Sequence, residues 1–359
     1  MARNKIIAFK NMKRIDLINW LSETDPNKVQ DLYSRAYAMK VKHVGKIVYF
    51  RGIIELSNIC AKNCFYCGIR KDNDHVERFQ MTDEEVLESA KLAFDSGYGS
   101  IVLQSGERSD ENFVAWIEQL IGQIKKMSNS QLGLTLSLGE QTRETYRRWF
   151  KAGAHRYLLR IETSNPELYQ KLHPADHSHE KRLDCLKILR QEGFQVGTGV
   201  MIGLPHQTLS DLADDILFFK NFDVDMIGMG PYISHHDTPL VGLTDKTDKA
   251  NNFDLSLKMI ALTRLVLEDV NIASTTALQA IDPAGREKGL LAGANIIMPN
   301  ITHTKYRRFY QLYDDKPCLD ENALVCKSCL ETRIKNIGEE IGYGKWGDSK
   351  HFKHSIQEK

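Results

Sequence analysis

Residues 60–67 read CAKNCFYC, which puts Cys60, Cys64 and Cys67 in one short stretch of a chain with seven cysteines in all. Soft thiolates select zinc, copper or iron–sulfur centres over hard cations. A structural zinc site is closed and tetrahedral, with four protein ligands. This stretch offers three, and His75 is the nearest further candidate. A [4Fe–4S] cluster ordinarily takes four thiolates. Three would leave one iron with open positions, where a ligand could bind and receive an electron. A zinc site completed from elsewhere in the chain is the alternative reading. A second group, Cys318, Cys326 and Cys329, is spaced C-x7-C-x2-C in CLDENALVCKSC and reads as a further iron–sulfur site or a small zinc staple. Cys185 stands alone in the helical pattern RLDCLKIL and reads as a packed core thiol. His235 and His236 invite a metal reading, but adjacent residues on a strand point to opposite sides, so they are expected to be separate rim residues.

These residues need a frame to bring them together, and the rest of the chain supplies one. Apolar runs at 47–56, 100–104, 132–138, 156–161, 195–202, 226–233, 271–275 and 294–298 predict eight strands. Helical patterns lie between them, at 82–96, 112–127, 142–152, 181–192, 209–221 and 254–268. Strands separated by helices imply a parallel sheet, and eight such units predict an α/β chain with a (β/α)8 barrel of the TIM type. No glycine-rich dinucleotide fingerprint follows the first strand, which counts against an open doubly wound sheet. Polar residues punctuate the strand ends: the cysteines, then Gln104 to Glu107, Ser137 to Glu140, Arg160 to Thr163, Gly203 to Pro205, Ser234 to Pro239 and Thr275-Thr276. In a barrel these ends form one ring around one mouth, where barrel active sites lie. Glu162 on a barrel strand needs polar partners if it is buried. Two helices are expected within 1–45, the barrel over 46–311, and a tail with the second cysteine group over 312–359. The 48 basic and 47 acidic residues leave a net charge of +1, which gives no reason to expect nucleic acid or a membrane surface as partner. No apolar run reaches the ~18 residues of a membrane helix. Residues 1–14 are basic without an apolar signal core, and clustered cysteines suit a reducing compartment, so a cytoplasmic location is expected.

The spacing C-x3-C-x2-C, with Tyr66 before the last cysteine and a barrel strand before the first, resembles the radical S-adenosylmethionine (SAM) superfamily. Longer segments, among them RGIIELSNICAKNCFYCGIRKDN, VLQSGE, RYLLRIET, GPYISHHDTPL and ANIIMPN, resemble its biotin-synthase-like branch, and within it the HydE family of [FeFe]-hydrogenase maturases. The resemblance implies a radical SAM barrel with a C-terminal iron–sulfur-binding tail. It implies a [4Fe–4S] cluster on Cys60, Cys64 and Cys67, with SAM chelated to its open iron and cleaved reductively to methionine and a 5′-deoxyadenosyl radical. Ser105, Gly106 and Glu107 would meet the SAM amino group. Glu162 would accept the ribose hydroxyls, Arg182 would pair with the SAM carboxylate, Met201 and Leu204 would line the adenine, and Tyr306 would lie near SAM. Thr135, Ser137, Arg160, Thr275 and Thr276 would face the substrate, with Arg160 and Glu162 closest to the chemistry. Cys318, Cys326 and Cys329 would hold a second cluster, [2Fe–2S] or [4Fe–4S]. Implied partners are a small-molecule or organometallic substrate, other hydrogenase maturases, and an electron donor such as flavodoxin or ferredoxin. Ile161 and Leu278-Gln279-Ala280 depart from the family pattern and are expected near the substrate end of the cavity. Two other readings keep the fold: a different biotin-synthase-like reaction on a small molecule, such as a rearrangement or sulfur insertion, and a non-catalytic iron–sulfur carrier.

Overall fold

The computed structural model describes residues 9–243 and 248–352; residues 1–8 of the basic N-terminal stretch and 353–359 of the tail lie outside the described residues. Strands β1 (Ile47–Ser57), β2 (Ser100–Ser105), β3 (Gly133–Ser137), β4 (Arg156–Leu158), β5 (Gln195–Thr198), β6 (Met201–Ile202), β7 (Met226–Pro231), β8 (Asn271–Ser274) and β9 (Ile296–Ile297) pair in parallel. β9 returns to β1 with Tyr49 opposite Ile296, so the sheet closes into a barrel. The fold is the expected (β/α)8 barrel. β5 and β6 together fill the fifth position. The single run expected at 195–202 is interrupted because the carbonyl of Gly199 turns to the preceding strand, where it accepts the N–H groups of both Ile161 and Glu162.

The six expected helices form, the last of them from Asp248, and short helices Pro166–Leu172, Thr276–Ile281, Gly285–Leu291 and Thr304–Arg307 add to them. Helix Asp83–Asp95 starts on a capping box: Thr82 accepts the amide of Glu85, and Glu85 accepts the amide of Thr82. Helix Arg143–Ala152 buries Tyr146 and Trp149 at a three-residue interval and leaves arginines outside. Its Trp149 ring stacks on Tyr157 of β4 at 6.4 Å. Helices Arg14–Ser22 and Pro26–His43 precede the barrel. The second is anchored by a fully buried pair, Lys40 Nζ to Glu339 at 2.6 Å.

The chain after residue 312 packs against both ends of the barrel. At the mouth Lys316 reaches Glu55 of β1 at 2.5 Å. Helix Ala323–Asn336 then leads away to β10 (Glu340–Ile341), which pairs with the first residues of β1. Residues 346–349 cross the other end as a plug. Arg51 and Asn271 both donate to the Gly347 carbonyl, Arg156 pairs with Asp348 at 2.6 Å, and the Ser349 amide donates to Gln195. Four inward polar residues, Arg51, Arg156, Gln195 and Asn271, thereby find partners in the tail, which closes the end opposite the mouth.

Candidate active site

The cysteine loop is built by the strand before it and by one arginine. β1 slips register against β2 between Glu55 and Ser57, a bulge that turns the chain out of the barrel. Asn58 then ties the loop down, accepting the Phe79 amide and donating to the carbonyls of Glu77 and Phe309. Arg78 donates to the carbonyls of Asn58, Ile69, Arg70, Lys71 and Asn73. One fork-shaped donor set thus holds both ends of the loop. The amides of Lys62 and Glu107 point at Cys60 Sγ, at 3.4 and 3.3 Å. Burial pushes all three thiols up, Cys64 to about 12. Three half-buried thiols within eight residues, with two backbone donors aimed at the Cys60 sulfur, suit a cationic iron centre, which needs the thiolate form and stabilises it. Three thiols leave one position of a four-iron cluster for another ligand, so these residues fit the group.

Gly106 follows β2 directly beneath this loop. A Cβ there would lie 2.4 Å from the Ile59 carbonyl and 2.8 Å from Cys60 Cβ, so the approach of strand and loop requires glycine. Ser105 donates to the Gly106 carbonyl at 2.7 Å. Glu107 sits in a buried charge network: Lys62 lies 3.3 Å from Glu107 and 3.1 Å from Glu140, and Arg182 lies 3.5 Å from Glu107 and 3.1 Å from Glu140. Burial raises the Glu107 carboxyl, with Glu140 adding to the effect. Arg182 also donates to the Tyr169 hydroxyl and to the Arg160 carbonyl, so its plane is fixed.

β4 delivers the next pair. Beyond Leu158 the chain stays on β5 through Leu159, and the shared Gly199 carbonyl forms a bulge at residues 161 and 162. Glu162 has φ of +63°, a left-handed conformation uncommon outside glycine, and is nearly buried. Arg160 pairs with its carboxylate at 2.9 Å and donates to the Val200 carbonyl. Met201 and Leu204 pack with Phe65 and Tyr66 of the cysteine loop and with Leu168, Leu172, Tyr232 and Leu240 in a separate apolar cluster. The Tyr66 hydroxyl meets His173 Nε2 at 3.2 Å. One mouth therefore joins Cys60, Cys64, Cys67, the 105–107 turn, Arg160, Glu162, Arg182, Met201 and Leu204.

The other expected residues have these places. Thr135 faces the closed end and accepts Arg156 Nε at 2.9 Å. Ser137 ends β3 opposite Gln104. Thr275 Oγ1 is buried without a hydrogen bond, and Thr276 accepts Arg286 at 3.2 Å. Tyr306 stands off the mouth polar groups, with its ring stacked on Phe79 and its hydroxyl on Glu85 at 2.9 Å. Ile161 and Leu278 are fully buried in the main apolar core, whereas Gln279 and Ala280 are half-buried. His235 and His236 lie beyond the end of β7, where strand alternation no longer applies. Their rings stack on one side at 4.4 Å and 18°. Cys185 is a buried core thiol. Cys318 and Cys326 converge with Glu321, their ligand atoms within 4.8 Å of one another, and the Cys326 thiol as donor draws the Cys318 thiol down to about 7. Cys329 is exposed on the helix, one turn on from Cys326. Lys62, Glu140 and Arg78 were missed as site residues. Lys62 lies within CAKNCFYC and Glu140 ends the polar run that begins at Ser137, whereas nothing local marks Arg78.

Comparison with known proteins agrees with this geometry. The Radical SAM superfamily matches residues 54–219. The chain is 48% identical, over 94% of its length and 93% of the relative, to the [FeFe] hydrogenase maturase subunit HydE of Thermotoga maritima. It is 27% identical, over 82% of its length and 81% of the relative, to 3-methylornithine synthase of Methanosarcina barkeri. Among solved structures, methylornithine synthase (PylB) superposes with a TM-score of 0.81 at 23% identity over 95% of this chain and 97% of that one, a likeness of fold. The maturase HydG from Carboxydothermus hydrogenoformans does so with a TM-score of 0.80 at 22% identity over 97% and 80%. No helix among the described residues is long and apolar enough to cross a membrane. With a barrel whose mouth gathers three half-buried thiols, a turn that only glycine fits and a fixed Glu–Arg pair, and with this identity over nearly its whole length, the chain belongs to the HydE family of radical SAM enzymes.

Proposed function

We propose that this enzyme cleaves SAM reductively and acts in assembling the diiron subsite of the [FeFe]-hydrogenase active centre. The observation that carries the reading is the 48% identity to HydE across 94% of the chain. Cys60, Cys64 and Cys67 are the residues that would hold the [4Fe–4S] cluster. When bound, cluster and SAM together supply a one-electron cleavage that yields methionine and a 5′-deoxyadenosyl radical. The chain's own residues orient and enclose. The Glu162 carboxylate is an acceptor suited to the ribose hydroxyls. Arg182 presents a planar donor fork suited to the SAM carboxylate, and exchanging the long 3.5 Å contact to Glu107 for that carboxylate would cost little. Residues 105–107 line the amino side and Met201 and Leu204 the apolar wall. Arg160 supplies a fixed positive charge toward an anionic, organometallic substrate.

The same reading assigns Cys318, Cys326 and Cys329 to a second iron–sulfur cluster. It implies other maturases and a flavodoxin- or ferredoxin-type electron donor as partners, and a cytoplasmic setting. Complementation tests it. A host lacking its own HydE, with the other maturases present, should regain hydrogen evolution by [FeFe]-hydrogenase when supplied with this chain. Arg160→Ala should lose that rescue to a greater extent than it loses SAM cleavage. Failure of the wild-type chain to restore hydrogenase, while it still releases 5′-deoxyadenosine from SAM, would overturn the maturation role and leave the SAM chemistry standing.

A further inference from the structure

We propose a divalent transition-metal site at the rim of the mouth, formed by His235, His236 and Asp314 and independent of the cysteines. One ring nitrogen of each histidine and one carboxylate oxygen of Asp314 lie within 4.8 Å of one another. The main chain frames them. The Asp314 amide donates to the Ser234 carbonyl, and the His236 amide donates to the Asp314 carboxylate, both at 3.0 Å. His235 is nearly buried and wedged against Gly68, where a Cβ would lie 2.4 Å from its Cδ2, so its ring is held. The His236 side chain is 69% exposed and that of Asp314 35%. Ligands of a tetrahedral ion stand about 3.5 Å apart, given metal–ligand bonds of about 2.0–2.2 Å. His236 Nδ1 lies 2.7 Å from Asp314 Oδ1, so an ion bound here would replace that hydrogen bond and the two exposed side chains would open around it.

Asp237 lies behind the pair, 3.2 Å from His236 Nε2 and 3.0 Å from His75 Nδ1. A carboxylate behind a ligating imidazole is the usual outer partner of a bound metal. Two imidazoles and one carboxylate suit borderline ions such as zinc, nickel, cobalt or ferrous iron, and not calcium or magnesium. The exposed side leaves a position for water. An ion here would tie the loop after β7 to the segment after residue 311. That segment is itself joined to the cysteine loop, where the Gly68 amide donates to Leu312.

The test uses the full-length protein reconstituted anaerobically with iron and sulfide, then titrated with Co²⁺. One equivalent should bind with visible ligand-field bands and no added thiolate-to-cobalt charge transfer, and Zn²⁺ should displace it. His236→Ala and Asp314→Ala should each lose that equivalent while folding and SAM cleavage persist. Asp237→Asn should weaken it by roughly 10–100-fold, the range for a lost outer partner. His236→Gln guards against a packing effect and should lose it too. The proposal falls if the wild type binds no such equivalent, if the equivalent survives in both ligand variants, or if its spectrum carries thiolate charge transfer.

Discussion

At the scale of single residues, the site depends on close approach. The loop carrying Cys60 rests on Gly106, and the Glu107 amide reaches Cys60 Sγ because nothing larger than hydrogen separates loop and strand. Gly106→Ala should therefore displace Cys60 by a few tenths of an ångström or more. The expected outcome is less iron in the reconstituted protein and SAM cleavage slowed on the order of 100-fold, the usual consequence of misplacing reacting groups by about 1 Å. Iron analysis and 5′-deoxyadenosine release check it, and wild-type values for both would refute it. Glu162 shows the same dependence from the backbone side. Its positive φ and the two amides shared on Gly199 turn its carboxylate to the mouth beside Arg160. No local signal in RYLLRIET reveals that bulge, although the residue types announce the chemistry.

At the scale of elements, a buried ion pair ties the helix before the barrel to the tail. Lys40 and Glu339 have fully buried side chains 2.6 Å apart, and Tyr37 donates to the same carboxylate. Burial lowers the Lys40 ammonium to about 8. Removing one partner leaves the other charge uncompensated. Lys40→Met should destabilise the fold by about 3–5 kcal/mol in denaturant unfolding, whereas Lys40→Met with Glu339→Leu should recover most of that loss. A single variant as stable as wild type would show that Glu339 finds another partner. The pair joins residues 299 positions apart. Each sequence segment by itself reads as an ordinary polar stretch, so the contact was not legible before the fold.

At the scale of the molecule, the tail closes the barrel end opposite the chemistry, and a histidine fastens it. His351 lies 2.7 Å from Asp223 and 3.0 Å from Asp269, and hydrogen bonding to Asp269 and then Asp223 raises its pKa from about 6.5 to about 9. A raised folded-state pKa contributes stability that is complete below about pH 6.5 and is lost as pH rises through about 9. Between those values the 346–349 plug should loosen, seen as faster amide exchange at 347–349 and a change in Trp346 fluorescence. His351→Gln should flatten that pH dependence. A plug equally protected at pH 6 and pH 9.5 in the wild type would refute the clasp.

The sequence by itself determined the alternation of strand and helix, hence the closed parallel barrel, because each unit's periodicity is local and eight such units have few ways to bury their faces. It also determined the ligand chemistry at Cys60, Cys64 and Cys67, where three thiols within eight residues need no distant contact to be recognised. Only the tertiary structure decided which strand-end residues share the mouth. Thr135 turned to the closed end and Tyr306 to Glu85, while Lys62 and Glu140 joined Glu107 and Arg182. It alone placed His235 and His236 on one side, because a turn after β7 breaks the alternation a strand would impose. The plug was likewise unreadable: its bonds run from Gly347 and Asp348 to Arg51 within β1 and to the first residues of β4 and β8, partners that only closing the barrel brings together.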